Sequence, residues 1–204
     1  MKVIGITGGI GAGKSEVLSY LSTHCNCRII YADIAAKELE EPGRSCYQPL
    51  ISLLGSEILG TDGRIDKVKF ADRIFGNAAL LEAVNGIIHP AVKEYILEQI
   101  ASEKEMAKEK RPGFHTAMFV EAALLIEEGY QFILDELWYV YASEEVRRKR
   151  LKESRHYSDE KIDAILAKQL PEQSFREICK VVIRNDGSME ETARELDKLL
   201  GEYL

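Results

Sequence analysis

A glycine-rich segment, Gly8–Ser15, comes directly after a short apolar run near the beginning of the chain. Its sequence, GGIGAGKS, fits the pattern G-x-x-x-x-G-K-[ST] without a gap. Glycines let the backbone curl so that several N–H groups point at one anion, and a following helix adds the positive end of its dipole. The run Lys2–Thr7 is typical of a buried strand, and the stretch from Lys14 to about Cys25 is typical of an amphipathic helix. The segment therefore predicts a strand–turn–helix unit that binds the phosphates of a nucleotide.

The residues of this turn have different expected contacts. The Lys14 ammonium should reach the β- and γ-phosphates, and the Ser15 hydroxyl should be a ligand of Mg²⁺. The backbone of the turn supplies the remaining contacts. The expected nucleotide-binding residues are Gly11, Ala12, Gly13, Lys14, Ser15 and Glu16.

The rest of the chain alternates between short β-branched runs and helical patterns, which indicates a mainly parallel sheet covered on both faces. The expected strands after the first are Arg28–Tyr31, Thr116–Val120, Glu136–Ala142 and Lys180–Ile183. Residues 46–110 contain no strand pattern and are expected to form several helices, with breaks at Gly60–Gly63, Gly76–Asn77 and His89–Pro90. Serines at 143, 158 and 188 are expected to cap helices, the last in a capping box.

We therefore expect an α/β fold, a three-layer P-loop NTPase sandwich built around a five-stranded sheet. Residues 1–204 form one domain in this prediction. Its core covers about 1–35 and 114–204, a helical subdomain for the acceptor covers about 36–112, and a lid covers about 147–158.

Composition and charge limit the partners and the location. The net charge of −7 argues against general nucleic-acid binding, which needs a basic face. No apolar run is long enough to span a bilayer, the beginning of the chain has no secretion-signal pattern, and the four cysteines show no C-x-x-C spacing. A cytoplasmic location is expected, and no signal in the sequence indicates an oligomeric state.

Several protein classes share the phosphate-binding turn. A GTP switch would need an Asn-Lys-x-Asp segment, and the nearest sequence, Arg184–Gly187, has no lysine. An ATPase motor would need more chain and a long apolar strand that ends in an acid. A small kinase needs a carboxylate near the acceptor hydroxyl, a helical region for the acceptor, and cations that close over the transferred group.

Asp33 is the candidate carboxylate, because it follows the second strand at the sheet edge where α/β proteins bind ligands. The turn after the first strand lies at the same edge, so both groups should face one crevice. An N-cap for the following helix is an equally good interpretation of Asp33. Glu121, at the end of another strand, is either an acid near Mg²⁺ or a solvent-exposed residue.

Basic residues are concentrated between Arg147 and Arg155, in a chain that is acidic overall. Such a run usually marks a solvated helix face. Here it lies between a strand and a capped helix, which favours a lid that places arginines on the ATP phosphates and excludes water.

Taken together, these features resemble the dephospho-CoA kinase family over nearly the whole chain. The pieces that carry the resemblance are Ile6–Ser15, Ala32–Asp33, Glu41–Gly43, Asp62–Gly63, Arg73–Phe75, Ile88–Pro90, Leu124–Glu127, Lys149–Leu151, Gln169 and Val182–Gly187. The resemblance implies that ATP, with Mg²⁺, phosphorylates the ribose 3′-hydroxyl of dephospho-CoA, the last step of coenzyme A synthesis. Other small-molecule kinases of the nucleoside-monophosphate-kinase type, and a nucleotide-dependent regulatory module, are the alternatives.

The resemblance also implies roles for single residues. Asp33 is similar to the catalytic base and Arg150 to the lid arginine that acts in catalysis with Lys14. Asn185 matches a position near the adenine of ATP, and His89 falls in the acceptor-binding region.

Some positions depart from the family pattern. Glu16 stands where a threonine is usual, and Ala123 replaces a proline. A second lid arginine is often four residues after the first, where this chain has Ser154. Arg147 and Arg155 are both candidates for its role. Glu121 and Glu127 are both candidates for a contribution to the Mg²⁺ site.

Overall fold

The structure is a computed structural model that describes all 204 residues. Its contacts divide the chain into two compact units. The first unit contains Met1–Ile30 and Glu103–Leu204, and the second contains Tyr31–Ser102. No helix combines the length and the apolar character that crossing a bilayer would require.

Five strands form one sheet, in the order β2-β3-β1-β4-β5. They are β1 (Lys2–Thr7), β2 (Cys27–Tyr31), β3 (Ala117–Glu121), β4 (Glu136–Tyr141) and β5 (Val181–Arg184). Strand β1 pairs in parallel with β3 and β4, and β4 pairs in parallel with β5. Side chains on both faces of the inner strands are buried, as expected for a parallel sheet between helical layers. The predicted α/β fold is confirmed.

Nine α-helices accompany the sheet. They are α1 (Lys14–His24), α2 (Ala32–Leu39), α3 (Tyr47–Leu54), α4 (Lys67–Ile74), α5 (Ala78–Lys108), α6 (Glu144–Arg155), α7 (Asp159–Leu166), α8 (Glu172–Ile178) and α9 (Met189–Tyr203). Ser56–Ile58 and Tyr130–Phe132 form short 3₁₀ helices. Residues 46–110 contain only an isolated bridge between Leu59 and Ile65, so the prediction that this region has no strand is confirmed.

Three serines cap helices as the sequence predicts. The hydroxyls of Ser143, Ser158 and Ser188 accept hydrogen bonds from backbone N–H groups in the first turns of α6, α7 and α9. Ser188 and Glu191 complete the capping box, because the Glu191 side chain also accepts from the Ser188 backbone. These local signals fix where the helices at the carboxyl edge of the sheet begin.

The predicted helix break at His89–Pro90 is wrong. Helix α5 continues through Pro90, although a proline inside a helix removes one N–H donor. The apolar positions on both sides of it share one buried face, with the four- and eight-residue spacing of a single helix. These buried residues are Val84, Val92, Ile96 and Ile100. Burial of this continuous face outweighs the local effect of the proline.

A buried carboxylate ties elements of the first unit together on the side where β2 and β3 begin. Glu103 accepts hydrogen bonds from Arg28 Nη1 at 2.8 Å and from His115 Nδ1 at 3.0 Å. Burial raises the pKa of the Glu103 carboxyl, but the hydrogen bonds from His115 and Arg28 outweigh it and leave the pKa below its ordinary value. Glu103 is therefore a paired, charged residue inside the fold.

Candidate active site

The glycine-rich turn connects β1 to α1, as the sequence predicts. Gly13 has φ = 90°, in the left-handed region that favours glycine, and precedes the first residue of α1. A Cβ at this position would lie 2.0 Å from Asn185 Nδ2, so the position also requires the absence of a side chain. The backbone of the turn is closed by a hydrogen bond of 3.1 Å from Ala12 N to Gly9 O. This curl and the helix behind it form an anion-binding concavity.

Lys14 lies beside an acid of the neighbouring strand. Its ammonium donates to Gly8 O at 2.9 Å and is 3.6 Å from the carboxylate of Glu121, the last residue of β3. Burial lowers the pKa of Lys14 below its ordinary value, and the Glu121 charge offsets part of this effect. The side chains of Lys14 and Glu121 are 17% and 19% exposed. The interpretation of Glu121 as a solvent-exposed residue is therefore wrong. The contacts with Gly8 O and Glu121 hold the Lys14 side chain at the turn.

Asn185 follows β5, and its side chain contacts the backbone of the turn. Its Nδ2 donates to Ala12 O at 2.8 Å, and its Oδ1 accepts from the Thr192 hydroxyl at 3.0 Å. Asn185 and Thr192 are each 1% exposed. The family resemblance is a reason to select Asn185, but no signal selects Thr192, which has no motif of its own. Only its position in the first turn of α9, four residues after the Ser188 cap, places it near the site.

Two arginines of α6 lie against the turn. Arg150 Nη1 is 3.5 Å from Gly11 O and 3.4 Å from Ala12 O. A Cβ at Gly9 would lie 2.0 Å from Arg147 Nη1, and the same Nη1 donates to Gln169 Oε1 at 3.2 Å. Arg147 Nε is buried without a hydrogen-bond partner. Both guanidinium groups thus lie within reach of an anion bound in the turn.

Other cations of the same helix bind α7 instead. Arg148 forms ion pairs with Asp159 and Asp163 of α7, and Lys152 pairs with Asp159. Arg155 is exposed, although its charge contributes to the lowered pKa of Lys14. The basic run therefore has two faces, one toward the turn and one toward α7. An interpretation of the whole run as a solvated helix face does not fit this division.

A pocket of about 610 Å³ opens beside the turn. This volume is in the usual range for sites of small organic ligands. Most of its lining comes from polar side chains of α1, together with a residue of α6, residues that follow β5 and the first residue of α9. The lining residues are Ser15, Glu16, Ser19, Tyr20, Thr23, Arg150, Asn185, Gly187 and Met189. The pocket can hold the nucleoside part of a ligand whose phosphates occupy the turn.

Asp33 and His89 belong to the second unit. Helix α2 begins at Ala32, its N-cap is Tyr31, and no side chain caps it, so the interpretation of Asp33 as an N-cap is wrong. The Asp33 carboxylate is mostly exposed and lies 3.6 Å from Lys37 Nζ, one helical turn later. His89 is half-buried within α5.

The groups around the turn fit a magnesium ion that arrives with a nucleotide. Mg²⁺ prefers oxygen ligands and is usually held by one or two protein oxygens together with substrate phosphates. The Ser15 hydroxyl lines the pocket at the start of α1, and the Glu121 carboxylate lies next to Lys14.

Comparison with known proteins gives the family. The family model for dephospho-CoA kinase (CoaE) matches residues 2–191. The chain belongs to the dephospho-CoA kinase family. A relative named dephospho-CoA kinase, from Carboxydothermus hydrogenoformans, is 34% identical over 203 residues, which cover 100% of this chain and 95% of the relative.

Solved structures share the fold of this chain. The crystal structure of TT1252 from Thermus thermophilus has a TM-score of 0.78 and 28% identity, with 100% of this chain and 98% of that chain covered. A dephospho-CoA kinase from Campylobacter jejuni shares the fold, with a TM-score of 0.72, 23% identity and coverage of 99% and 97%. This member of the dephospho-CoA kinase family is thus a kinase with the P-loop fold, and ATP is its phosphoryl donor.

Proposed function

We propose that this kinase transfers the γ-phosphoryl group of ATP to the ribose 3′-hydroxyl of dephospho-CoA and releases ADP and CoA. The observation that carries the proposal is the extent of the family match. It covers residues 2–191, and therefore both the phosphate-binding turn and the helical second unit. Dephospho-CoA is thus the acceptor in this proposal, and the second unit contributes to its binding site.

On the nucleotide side, the amides of the turn and Lys14 hold the β- and γ-phosphates, while Arg147 and Arg150 approach them from α6. These positive groups stabilise the charge on the transferred group as it moves. Mg²⁺ bound with ATP would neutralise phosphate charge, and Ser15 would be its protein ligand. The pocket beside α1 takes the adenosine, and α6 and α7 together exclude water that would otherwise accept the phosphoryl group.

On the acceptor side, the proposal gives Asp33 the role of the base. The 3′-oxygen attacks the γ-phosphorus in line, the bond between the γ-phosphorus and the bridging oxygen breaks, and the electron pair leaves with ADP. The hydroxyl proton passes to the Asp33 carboxylate and then to solvent. His89 contacts the acceptor. The proposal requires that the Asp33 carboxylate reach the attacking hydroxyl.

Replacement of Asp33 tests this mechanism. We expect Asp33→Asn to reduce kcat with dephospho-CoA by roughly a hundredfold or more, the scale of general-base catalysis, and to leave ATP binding nearly intact. ADP release in a coupled assay measures the first quantity, and calorimetry with a nonhydrolysable ATP analogue measures the second. Glu38→Gln is a matched control, because Glu38 is an exposed acid on the same helix.

Two results would contradict the proposal. Near-normal turnover of Asp33→Asn would leave Asp33 without a role in proton transfer. Turnover of shikimate, gluconate or a nucleoside monophosphate by the unmodified protein, with none of dephospho-CoA, would assign a different acceptor.

The proposal places the reaction in the cytoplasm, where thiols stay reduced, and all four cysteines are free. Cell fractionation would test that location.

A further inference from the structure

Two residues near the end of the chain form a hydrogen-bonded chain with the backbone of the phosphate turn. The Thr192 hydroxyl is 3.0 Å from Asn185 Oδ1, and Asn185 Nδ2 is 2.8 Å from Ala12 O. Asn185 and Thr192 are almost completely buried. Water therefore does not compete for these groups, and loss of the Thr192 hydroxyl leaves the buried Asn185 Oδ1 unpaired.

The direction of each bond follows from the chemistry of the partners. A backbone carbonyl can only accept, so the atom of Asn185 that faces Ala12 O must be the amide nitrogen. The amide oxygen then faces Thr192, whose hydroxyl must donate to it. Carbonyls of Arg184 and Ser188 are also near this hydroxyl, but at the longer distances of 3.2 and 3.4 Å. The Thr192 hydroxyl thus supplies the donor for the Asn185 amide oxygen and helps to hold the amide in this orientation.

This orientation reaches the anion site through one peptide group. The chain has no cis peptide bond, so the Ala12 carbonyl and the Gly13 N–H point in opposite directions. Because Asn185 holds the carbonyl on its own side, the Gly13 N–H points away from Asn185. Amides in this position of a Gly-rich turn hold nucleotide phosphates.

We infer that Thr192 is a positioning residue for phosphate binding, which acts through Asn185 to hold the Ala12–Gly13 peptide with its N–H toward the nucleotide. The inference deepens the proposed function and rests on it only in taking ATP as the phosphoryl donor. Both polar atoms of the Asn185 amide are used within the protein. Asn185 therefore borders the adenosine pocket, but its hydrogen bonds serve the phosphate site.

Thr192→Val tests the inference, because it keeps the shape of the side chain and removes the hydroxyl. Binding is measured with three probes: ADP, pyrophosphate and adenosine. We expect roughly tenfold weaker binding of ADP and pyrophosphate, and unchanged binding of adenosine, which has no phosphate. Thr192→Ser keeps the donor and should restore binding. Thr116→Val is the control, since it removes a threonine hydroxyl bonded to Asn26 O at the beginning of β3.

The outcomes separate the alternatives. An equal loss for all three probes would mean that Thr192 only shapes the pocket, and no loss for ADP or pyrophosphate would mean that the peptide needs no such support. Either result overturns the inference. If Thr192→Val does not fold, Asn185→Asp is the second variant, because it presents an oxygen to the Ala12 carbonyl and should show the same selective loss. Binding of ADP does not depend on the acceptor, so a wrong acceptor assignment would leave these results unchanged.

Discussion

Addition of one methyl group at Gly13 should damage the phosphate turn more than the backbone strain alone would. Gly13→Ala would place Cβ 2.0 Å from Asn185 Nδ2 and 2.9 Å from Glu16 Oε2. The Glu16 side chain is exposed and can move. Asn185 is held between Ala12 and Thr192 and cannot move without the loss of a buried hydrogen bond.

The magnitude follows from two contributions. An L-residue at φ = 90° costs about 1–2 kcal/mol, and an unpaired buried amide costs about 1–3 kcal/mol more. The free energy of unfolding should therefore fall by about 2–5 kcal/mol, which is less than the total of many domains, so the variant should still fold. Because the same distortion turns the Gly13 N–H away from the phosphate, ATP affinity should fall by roughly tenfold or more.

Gly113→Ala is the matched control. Gly113 has φ = 83° in the same unit, and a Cβ there would meet nothing within 4 Å. It should lose only the backbone contribution, about 1–2 kcal/mol, and keep normal ATP binding. The effect of alanine on the unfolded chain is common to both variants and cancels in the comparison. Denaturant unfolding and calorimetric titration with ATP measure the two quantities. Equal destabilisation of the two variants, with ATP binding intact in both, would refute the reasoning.

Two further predictions concern other parts of the first unit. Arg147→Met should lower kcat by roughly a hundredfold, whereas Arg155→Met should have a much smaller effect, because Arg147 lies against the turn and Arg155 is exposed. A larger loss in the Arg155 variant in a steady-state assay would reverse this assignment. Glu103→Gln should lower the free energy of unfolding at neutral pH by about 1–3 kcal/mol, because it leaves Arg28 and His115 without their buried carboxylate. Because the pKa of Glu103 is lowered in the folded state, its contribution to stability is present above the unfolded-state pKa and is lost as the pH falls through the folded-state pKa. The difference in free energy of unfolding between the unmodified protein and Glu103→Gln should therefore shrink when denaturant unfolding is repeated at lower acidic pH. A constant difference would contradict this explanation.

Local signals explain why much of the fold could be predicted from the sequence. The turn motif, the strand patterns and the serine caps depend on residues close to one another in the chain, and the structure contains each of them. The failed prediction at Pro90 has the opposite origin. There a long-range effect, the burial of one face of α5, outweighs a local preference.

The site could be predicted only in part, because its supports are distant in sequence. Asn185 and Ala12 are 173 residues apart, and no periodicity or motif indicates that their side chain and backbone meet. The sequence contains even less reason to select Thr192, because a threonine in the first turn of a helix has many explanations other than a binding site. The contact between Glu121 and Lys14 depends on β1 and β3 being neighbours in the sheet, and the order of strands is not encoded locally.

Dissolved salt should act on different parts of this molecule to different degrees. Helices α6 and α7 are joined by Arg148 and Lys152 to carboxylates that are largely open to water. Surface pairs of this kind contribute less than about 1 kcal/mol each, and ions in the medium weaken them further. The supports of the turn are hydrogen bonds between groups that water does not reach. A rise in ionic strength should thus weaken the ion pairs between the two helices, while the phosphate-binding turn keeps its conformation.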